Sequence, residues 1–281
     1  MENEVNLSGQ AVPWERATIE KLLFAELRER RAARRWRLLR SLLWMGLVGA
    51  LVWVLASEQL PSATPSSAHT AMVSIKGEIS DTGEGSAEYI LPALRSAMED
   101  KGAQALVLLI NSPGGSPVQA GLIHDEVRRL RALHDKPVYA VVEESCASAA
   151  YYIAAGADRI YVDKASLVGS IGVLIDGFGA VGALEKLGVE RRLLTAGENK
   201  GFLDPFSPQS EAHRAHAQRM LDQIHQQFID VVRQGRGERL KETPDMFSGL
   251  FWTGEQAVQL GLADQLGSLD MVAREVVKAE K

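Results

Sequence analysis

Ala105-Leu-Val-Leu-Leu-Ile-Asn-Ser-Pro-Gly-Gly-Ser116 decides the fold of this chain. Its first six residues are unbroken by a polar side chain, as in a strand buried on both faces. Strands of that kind belong to parallel sheets, whose crossover helices cover both sides. The next six residues turn the chain, and a helical pattern runs from Val118 to Leu133. In open parallel sheets, ligand sites lie beyond the C-terminal ends of the strands. Gly114 and Gly115 therefore stand where a ligand would be met. Glycine lets a backbone approach a ligand closely and aim its N–H groups inward. Taken alone, a plain tight turn is the simpler reading, because glycine-rich turns are common.

Outward from this unit the same alternation repeats. Strands are expected at Ala71–Ile79, Pro137–Val142, Ile160–Val162 and Val189–Thr195. Helices are expected at Ala87–Lys101, Ala149–Ala155, Ala180–Leu187, Pro208–Gln234, Gly254–Leu260 and Leu269–Ala279. Repeated βα units predict an α/β domain with helices packed outside a parallel sheet. No internal repeat is visible.

A second strand-to-helix corner carries a serine among small residues, Cys146-Ala-Ser-Ala-Ala-Tyr151. Ser148 sits at a helix N-terminus, where unpaired N–H groups and the dipole favour negative charge. An oxyanion formed by serine attack on a carbonyl would be favoured there. The competing reading is an ordinary N-cap. Cys146 is the single cysteine of the chain. It is a rival nucleophile by position, but a small buried hydrophobe at a strand end is the simpler reading.

A serine nucleophile needs a base. Apart from His69 in a linker, the histidines (His124, His134, His213, His216 and His225) fall in predicted helices among polar neighbours. They read as solvated or capping groups, which argues against a Ser-His-Asp arrangement. The alternative is Lys200, in the irregular stretch Thr195–Pro208. An amine is a base only when neutral, so it must be desolvated. Phe202 and Phe206 are at hand to bury it, although a loop lysine is ordinarily solvated.

The charge is unevenly distributed. The formal net charge is -5, yet residues 1–40 hold nine Lys/Arg against six Asp/Glu, leaving 22 against 30 in the rest. So acidic a remainder lacks the basic face that nucleic-acid binding needs. The basic excess adjoins Ser41–Ser57, seventeen residues without a charge, at the short end of a membrane span. Residues 28–40 contain seven arginines, and the first lysine after the span is Lys76. The positive-inside rule places the N-terminus in the cytoplasm and the remainder outside. Forty residues are too many for a signal-peptide n-region, so 41–57 reads as an uncleaved anchor. Residues 1–27 read as a short amphipathic helix within a basic cytoplasmic segment, 1–40. Residues 58–70, rich in Pro, Ser, Ala and Thr, read as a tether. The main domain is then 71–281. Nothing in the sequence calls for a cofactor or a metal.

Four motifs occur in order: strand-Asn111-Ser-Pro-Gly-Gly115, Glu144–Asp158, Leu167–Val173 and Gly197–Pro208. Together they resemble the SppA family of signal peptide peptidases, which are membrane-anchored serine–lysine proteases with a ClpP/crotonase-like fold. The resemblance covers the domain to its end, including Trp252–Val272. It implies Ser148 as nucleophile, Lys200 as general base and Ser170 as the serine that orients the lysine. It also implies Gly114 and Gly115 as oxyanion-hole donors, with the N–H of Ala149 as the natural second contributor. Remnant signal peptides are the implied substrates, at the inner (plasma) membrane with the domain on the extracytoplasmic, periplasmic side. A homo-oligomeric ring is implied, and the fifty-two positions from Ser148 to Lys200 permit pairing within one copy or between two.

The chain departs from the pattern at several positions. The family usually has Ser-Gly-Gly where this chain has Ser148-Ala149-Ala150. If the first glycine needs positive φ, Ala149 is costly; if that residue opens a helix, alanine is harmless, and the second is expected. Gly201 comes directly after Lys200, where Asp or Ser is common in the family. Glu143 and Glu144 replace small residues and either disfavour acidic substrates or simply face solvent. Two other functions remain open on sequence: a crotonase-like acyl-CoA enzyme, and a catalytically impaired scaffold of the same fold.

Overall fold

The computed structural model describes residues 35–53 and 67–278. The amphipathic helix expected within 1–27 and the tether residues 58–66 lie outside them. The chain divides into two units, residues 1–64 and 65–281. In the first, helix α1 (Arg35–Trp53) has 19 residues and is exposed along its length. It is long and apolar enough to cross a membrane by length and composition. At 1.5 Å per residue it extends about 28 Å, close to a hydrocarbon core. It starts before the uncharged run, taking in the arginines at 35, 37 and 40, and residues 54–57 lie outside the described residues.

The second unit is a mixed α/β domain. Its strands are β1 (His69–Lys76), β2 (Ala103–Ser112), β3 (Val138–Ala147), β4 (Arg159–Val162), β5 (Leu167–Gly169), β6 (Phe251–Thr253) and β7 (Gln265–Leu266). The path β1-β2-β3-β4-β7 is parallel throughout, and β6 runs antiparallel on β5. The helices are α2 (Ala87–Glu99), α3 (Pro117–His134), α4 (Ala149–Ala154), α5 (Val181–Leu187), α6 (Glu211–Arg236), α7 (Gly254–Gln259) and α8 (Leu269–Met271). A π-helical turn, Val272–Val277, extends α8.

The apolar run 105–110 is buried on both faces. Leu106, Leu108 and Ile110 join the main core, whereas Val107 and Leu109 join a second core with Val141, Tyr161 and Val272. Burial of each such side chain contributes about 1.5–3 kcal/mol, so this strand anchors the sheet.

Several expected elements are corrected: β3 runs on past Val142 to Ala147, α2 ends at Glu99 rather than Lys101, and α6 starts at Glu211 rather than Pro208. Strand β1 starts at His69, pairing with Ala103, so the tether ends before residue 70. It stops at Lys76, and Ile79 returns only as a single bridge to Gly115. Val189–Thr195 forms no strand and is exposed throughout. β-branched residues favour a strand only where a neighbouring ladder is offered, and no strand among the described residues forms a ladder with this segment.

Strand β3 does two jobs. Tyr139–Val142 pair with β4, and Ser145–Ala147 pair with β5. Between them the register against β2 slips: Ile110 pairs with Val142, but Ser112 with Cys146. The extra residues form a bulge, which bends a strand and re-aims the residues beyond it. Glu143 and Glu144 are in that bulge and face solvent, with Glu143 paired to Lys76 at 3.0 Å. The bend carries β3 onto β5 and delivers Ser148 at its end.

Helix α4 is held from behind. A methyl group on Gly235 of α6 would lie 2.0 Å from the Ala155 carbonyl oxygen, so α6 packs directly on the end of α4. Tyr151 donates its buried hydroxyl to the Leu262 carbonyl at 2.7 Å. The buried Arg236 donates to the Gly261 carbonyl and to Asp264, each at 2.8 Å. Burial alone would raise the Asp264 pKa, but Arg236, the Ile160 N–H and Arg239 together hold it below the usual carboxylate range.

Helices α2 and α3 are joined at Glu126, which accepts from Arg95 at 2.6 Å and Arg129 at 2.7 Å. The Arg129 hydrogen bond outweighs desolvation and, with Arg95, lowers the Glu126 pKa to about 2. A depressed carboxylate stabilises the fold above its unfolded pKa and loses that contribution as pH falls through the folded value. Stability from Glu126 is therefore complete above about pH 4.5 and lost toward about pH 2. Glu126→Gln is expected to lower the melting temperature at pH 7 and to flatten its decline between those limits, as read by thermal denaturation at stepped pH.

Candidate active site

Ser148 closes the corner between β3 and α4 with φ 51° and ψ -123°. A non-glycine residue at positive φ is strained by about 1–3 kcal/mol, and such strain gathers at functional corners. Its N–H donates to the Gly169 carbonyl at 2.8 Å, and its carbonyl accepts from the Tyr152 N–H at 3.0 Å. Its side chain makes no capping bond. By contrast Ser116, Ser210, Thr253 and Ser268 all cap their helices through the side chain. Ser148 is also the one half-exposed residue among the buried Cys146, Ala147, Ala149 and Ala150. The N-cap reading therefore does not describe this serine.

Ala149 opens α4 in the helical conformation and is absent from the positive-φ residues, so alanine is accommodated there. As the first helical residue it has no intrahelical acceptor for its N–H. Cys146 is fully buried, and desolvation pushes its thiol pKa well up, away from thiolate chemistry.

The glycine turn meets Ser148 from β2. Gly114 has φ 109°, and a methyl group there would lie 2.7 Å from the Ser148 Cβ. Its N–H donates to the buried Ser112 hydroxyl at 3.2 Å. The neighbouring residue is placed differently. The Gly114 carbonyl accepts from the Ile79 N–H at 2.8 Å, and the Ser116 N–H donates to the Ile79 carbonyl at 2.7 Å. In an extended segment those two groups point one way, so the N–H of Gly115 between them points the other. No described residue accepts from it.

Ser148, Ala149, Gly115 and Ser170 border one cavity of about 690 Å³. Ser170 is a second positive-φ serine, at 50°, held by donation of its N–H to the Leu250 carbonyl at 2.8 Å. The rest of the cavity is largely apolar, with Tyr152, Val173, Leu174, Ile175, Ile224 and Phe228 among its walls. Sequence reading did not single out this wall. Its signal was weak, because the residues come from α4, α6 and the loop after β5.

Lys200 is not brought to this cavity. It lies on a turn after Gly197 and is exposed. The histidines are more varied than expected. His124 is buried, with its pKa lowered chiefly by desolvation, and stacks edge-on to Tyr152 at 5.3 Å. His225 is half-buried with Nε2 3.1 Å from the Ile171 carbonyl. None lines the cavity. Among the described residues no group of three or more His, Cys, Asp or Glu side chains is placed to hold a metal ion.

A mainly parallel sheet with a strained serine corner over an apolar cavity defines a ClpP-like α/β domain. Residues 131–281 match the model of peptidase family S49, and the chain belongs to that family. A protein named Na(+)/H(+) antiporter NhaA from Brucella melitensis is 48% identical over 176 residues, covering 63% of this chain and 24% of that protein. The antiporter name describes a protein mostly outside the match. A provisionally named signal peptide peptidase SppA from Enterococcus faecium is 33% identical over 215 residues, covering 72% of this chain and 62% of the relative. A provisionally named protease from Synechocystis is 31% identical over 209 residues, covering 74% and 73%. The chain thus spans a quarter of the Brucella relative's length and 62% of the Enterococcus relative's.

Proposed function

We propose that this chain is a membrane-anchored serine endopeptidase with Ser148 as nucleophile and Lys200 as base, acting on apolar peptides such as remnant signal peptides. The observation that carries the reading is the uncapped Ser148 side chain at a strained corner, beside the free N–H of Gly115 and the helix-opening N–H of Ala149. Lys200 takes the proton of Ser148 Oγ as the Oγ–C bond forms at a peptide carbonyl. The N–H groups of Gly115 and Ala149 hold the resulting oxyanion, and Gly114 provides the close approach between the two loops. Lys200 then gives its proton to the leaving amine as the C–N bond breaks. Water hydrolyses the acyl-enzyme with the same lysine as base. Ser170 orients the lysine in this scheme. The apolar cavity walls suit the core of a signal peptide, and α1 keeps the domain at the membrane, the arginine cluster on the cytoplasmic side.

Lys200 reaches Ser148 from a neighbouring copy in this reading. Two features support that. The lysine is exposed in the single chain, whereas a base amine must be desolvated. The surrounding segment also exposes Leu174, Phe178, Leu187 and Leu194, an apolar surface suited to another protomer. Mixing full-length Ser148→Ala with Lys200→Ala is expected to restore part of the activity that each lacks. Two inactive variants that stay inactive in a mixed oligomer would reject the shared site. Peptide mapping after treatment with a serine-directed acylating probe is expected to find the adduct on Ser148; an adduct elsewhere would reject the nucleophile.

A further inference from the structure

Lys200 has no support from its own side chain, so its position depends on the turn that carries it. That turn is tightly built. Lys200, Phe202 and Asp204 each donate an N–H three residues back, to Gly197, Asn199 and Gly201 at 3.1, 3.0 and 3.2 Å. At the far end Asp204 accepts from Ser207 at 2.6 Å and pairs with Arg191 at 3.4 Å. These contacts shape the turn, and just beyond it the Pro205 carbonyl accepts from the Ala180 N–H at 2.7 Å, which ties its far end to the start of α5.

The end that carries Lys200 is tied by the first two turns of α6. His213 Nε2 lies 3.1 Å from Asn199 Oδ1, so the ring donates to the residue just before Lys200. Phe202, two residues after Lys200, packs edge-on against His213 and against His216, with both ring centroids at 5.5 Å. Residues three apart share one helix face, which is why two histidines can grip one phenyl ring. The backbone of His213 is itself fixed, because its N–H donates to the Ser210 capping hydroxyl at 3.1 Å. Lys200 is therefore flanked on both sides by contacts to a single, rigidly started helix.

We propose that His213 is a positioning residue for Lys200: through Asn199 and Phe202 it holds the lysine's turn in register with α6. This rests on the reading of Lys200 as the base. His213 is not among the residues that line the cavity beside Ser148. It sets where the amine stands, and small displacements of a catalytic group are costly.

The test uses the full-length protein and a peptide substrate. His213→Ala and Asn199→Ala are each expected to lower kcat by about tenfold to a hundredfold with KM within about twofold, the signature of a misplaced catalytic group. Their double variant is expected to lose little more than His213→Ala alone, because Asn199→Ala removes one of the two contacts that His213 makes to the turn. His213→Gln, which keeps a donor toward Asn199, is expected to recover part of kcat, and Asn199→Ala leaves the folded core untouched as a control for stability. Wild-type kcat in His213→Ala, beside an inactive Lys200→Ala, overturns the positioning role and leaves the base assignment standing. Fully additive losses, or losses seen only in KM, overturn it likewise. An active Lys200→Ala removes the base assignment and this proposal with it.

Discussion

Ser148→Ala is expected to lower peptidase kcat by about 10⁴–10⁶ and to abolish labelling by a serine-directed acylating probe. The size comes from the chemistry, since a nucleophile and its base act as one unit and loss of the nucleophile removes the covalent route entirely. The fold should survive. Ser148 makes no side-chain hydrogen bond, and alanine already occupies the positions on either side of it. Positive φ is no easier for alanine than for serine, so the melting temperature is expected to shift by only a few degrees. Cys146, two residues away, offers no replacement, because burial keeps its thiol protonated. Cys146→Ser is accordingly expected to keep the labelling and to cost stability instead, by placing a hydroxyl in the core. Activity and labelling that persist in Ser148→Ala would remove this corner from the chemistry.

The sheet was readable because strand β2 advertises itself. No residue of 105–110 tolerates water, and the residues alternate between two cores. The helices α2 and α3 were readable for a similar reason, each with one apolar face. Val189–Thr195 misled because β propensity is a preference without a partner, and a partner is a property of the assembled sheet or of another chain. The site was legible in part. Small residues around Ser148 and the paired glycines mark a place where backbones converge. The bulge at 143–145 that aims Ser148 shows in the sequence only as the adjacent charges of Glu143 and Glu144, because the slip itself arises from a mismatch between β2 and β3. The apolar cavity wall likewise draws on α4, α6 and a loop far apart in sequence. His124 read as a solvated helix residue, yet a helix face that packs against Tyr152 buries whatever stands on it.

The glycine turn yields the second large effect. Gly115→Ala is expected to lower kcat by about 10²–10³, comparable to the loss of one oxyanion donor. The side chain added there would place its Cβ 2.0 Å from the Ile79 carbonyl oxygen, and the backbone already sits at φ 144°. Backbone cannot yield as a flexible side chain would. The turn must move away from Ile79, which breaks the bridge made by the 2.8 and 2.7 Å hydrogen bonds on either side of Gly115. In the proposed mechanism the N–H of Gly115 then no longer meets the oxyanion, and the strain lowers stability by roughly 1–3 kcal/mol. Gly114→Ala should act by a different route, by driving its methyl group against the Ser148 Cβ at 2.7 Å and displacing Ser148 itself. The two variants are separable with a probe: Gly114→Ala should slow acylation of Ser148 by any reagent, whereas Gly115→Ala should slow most those reactions that develop an oxyanion. Gly121→Ala, with nothing within 4 Å of the new methyl group, is the control and is expected to raise helix stability by about 1 kcal/mol without touching kcat. A Gly115→Ala enzyme with kcat within about threefold of wild type, an effect worth well under 1.4 kcal/mol, would show that this N–H does not face the developing charge.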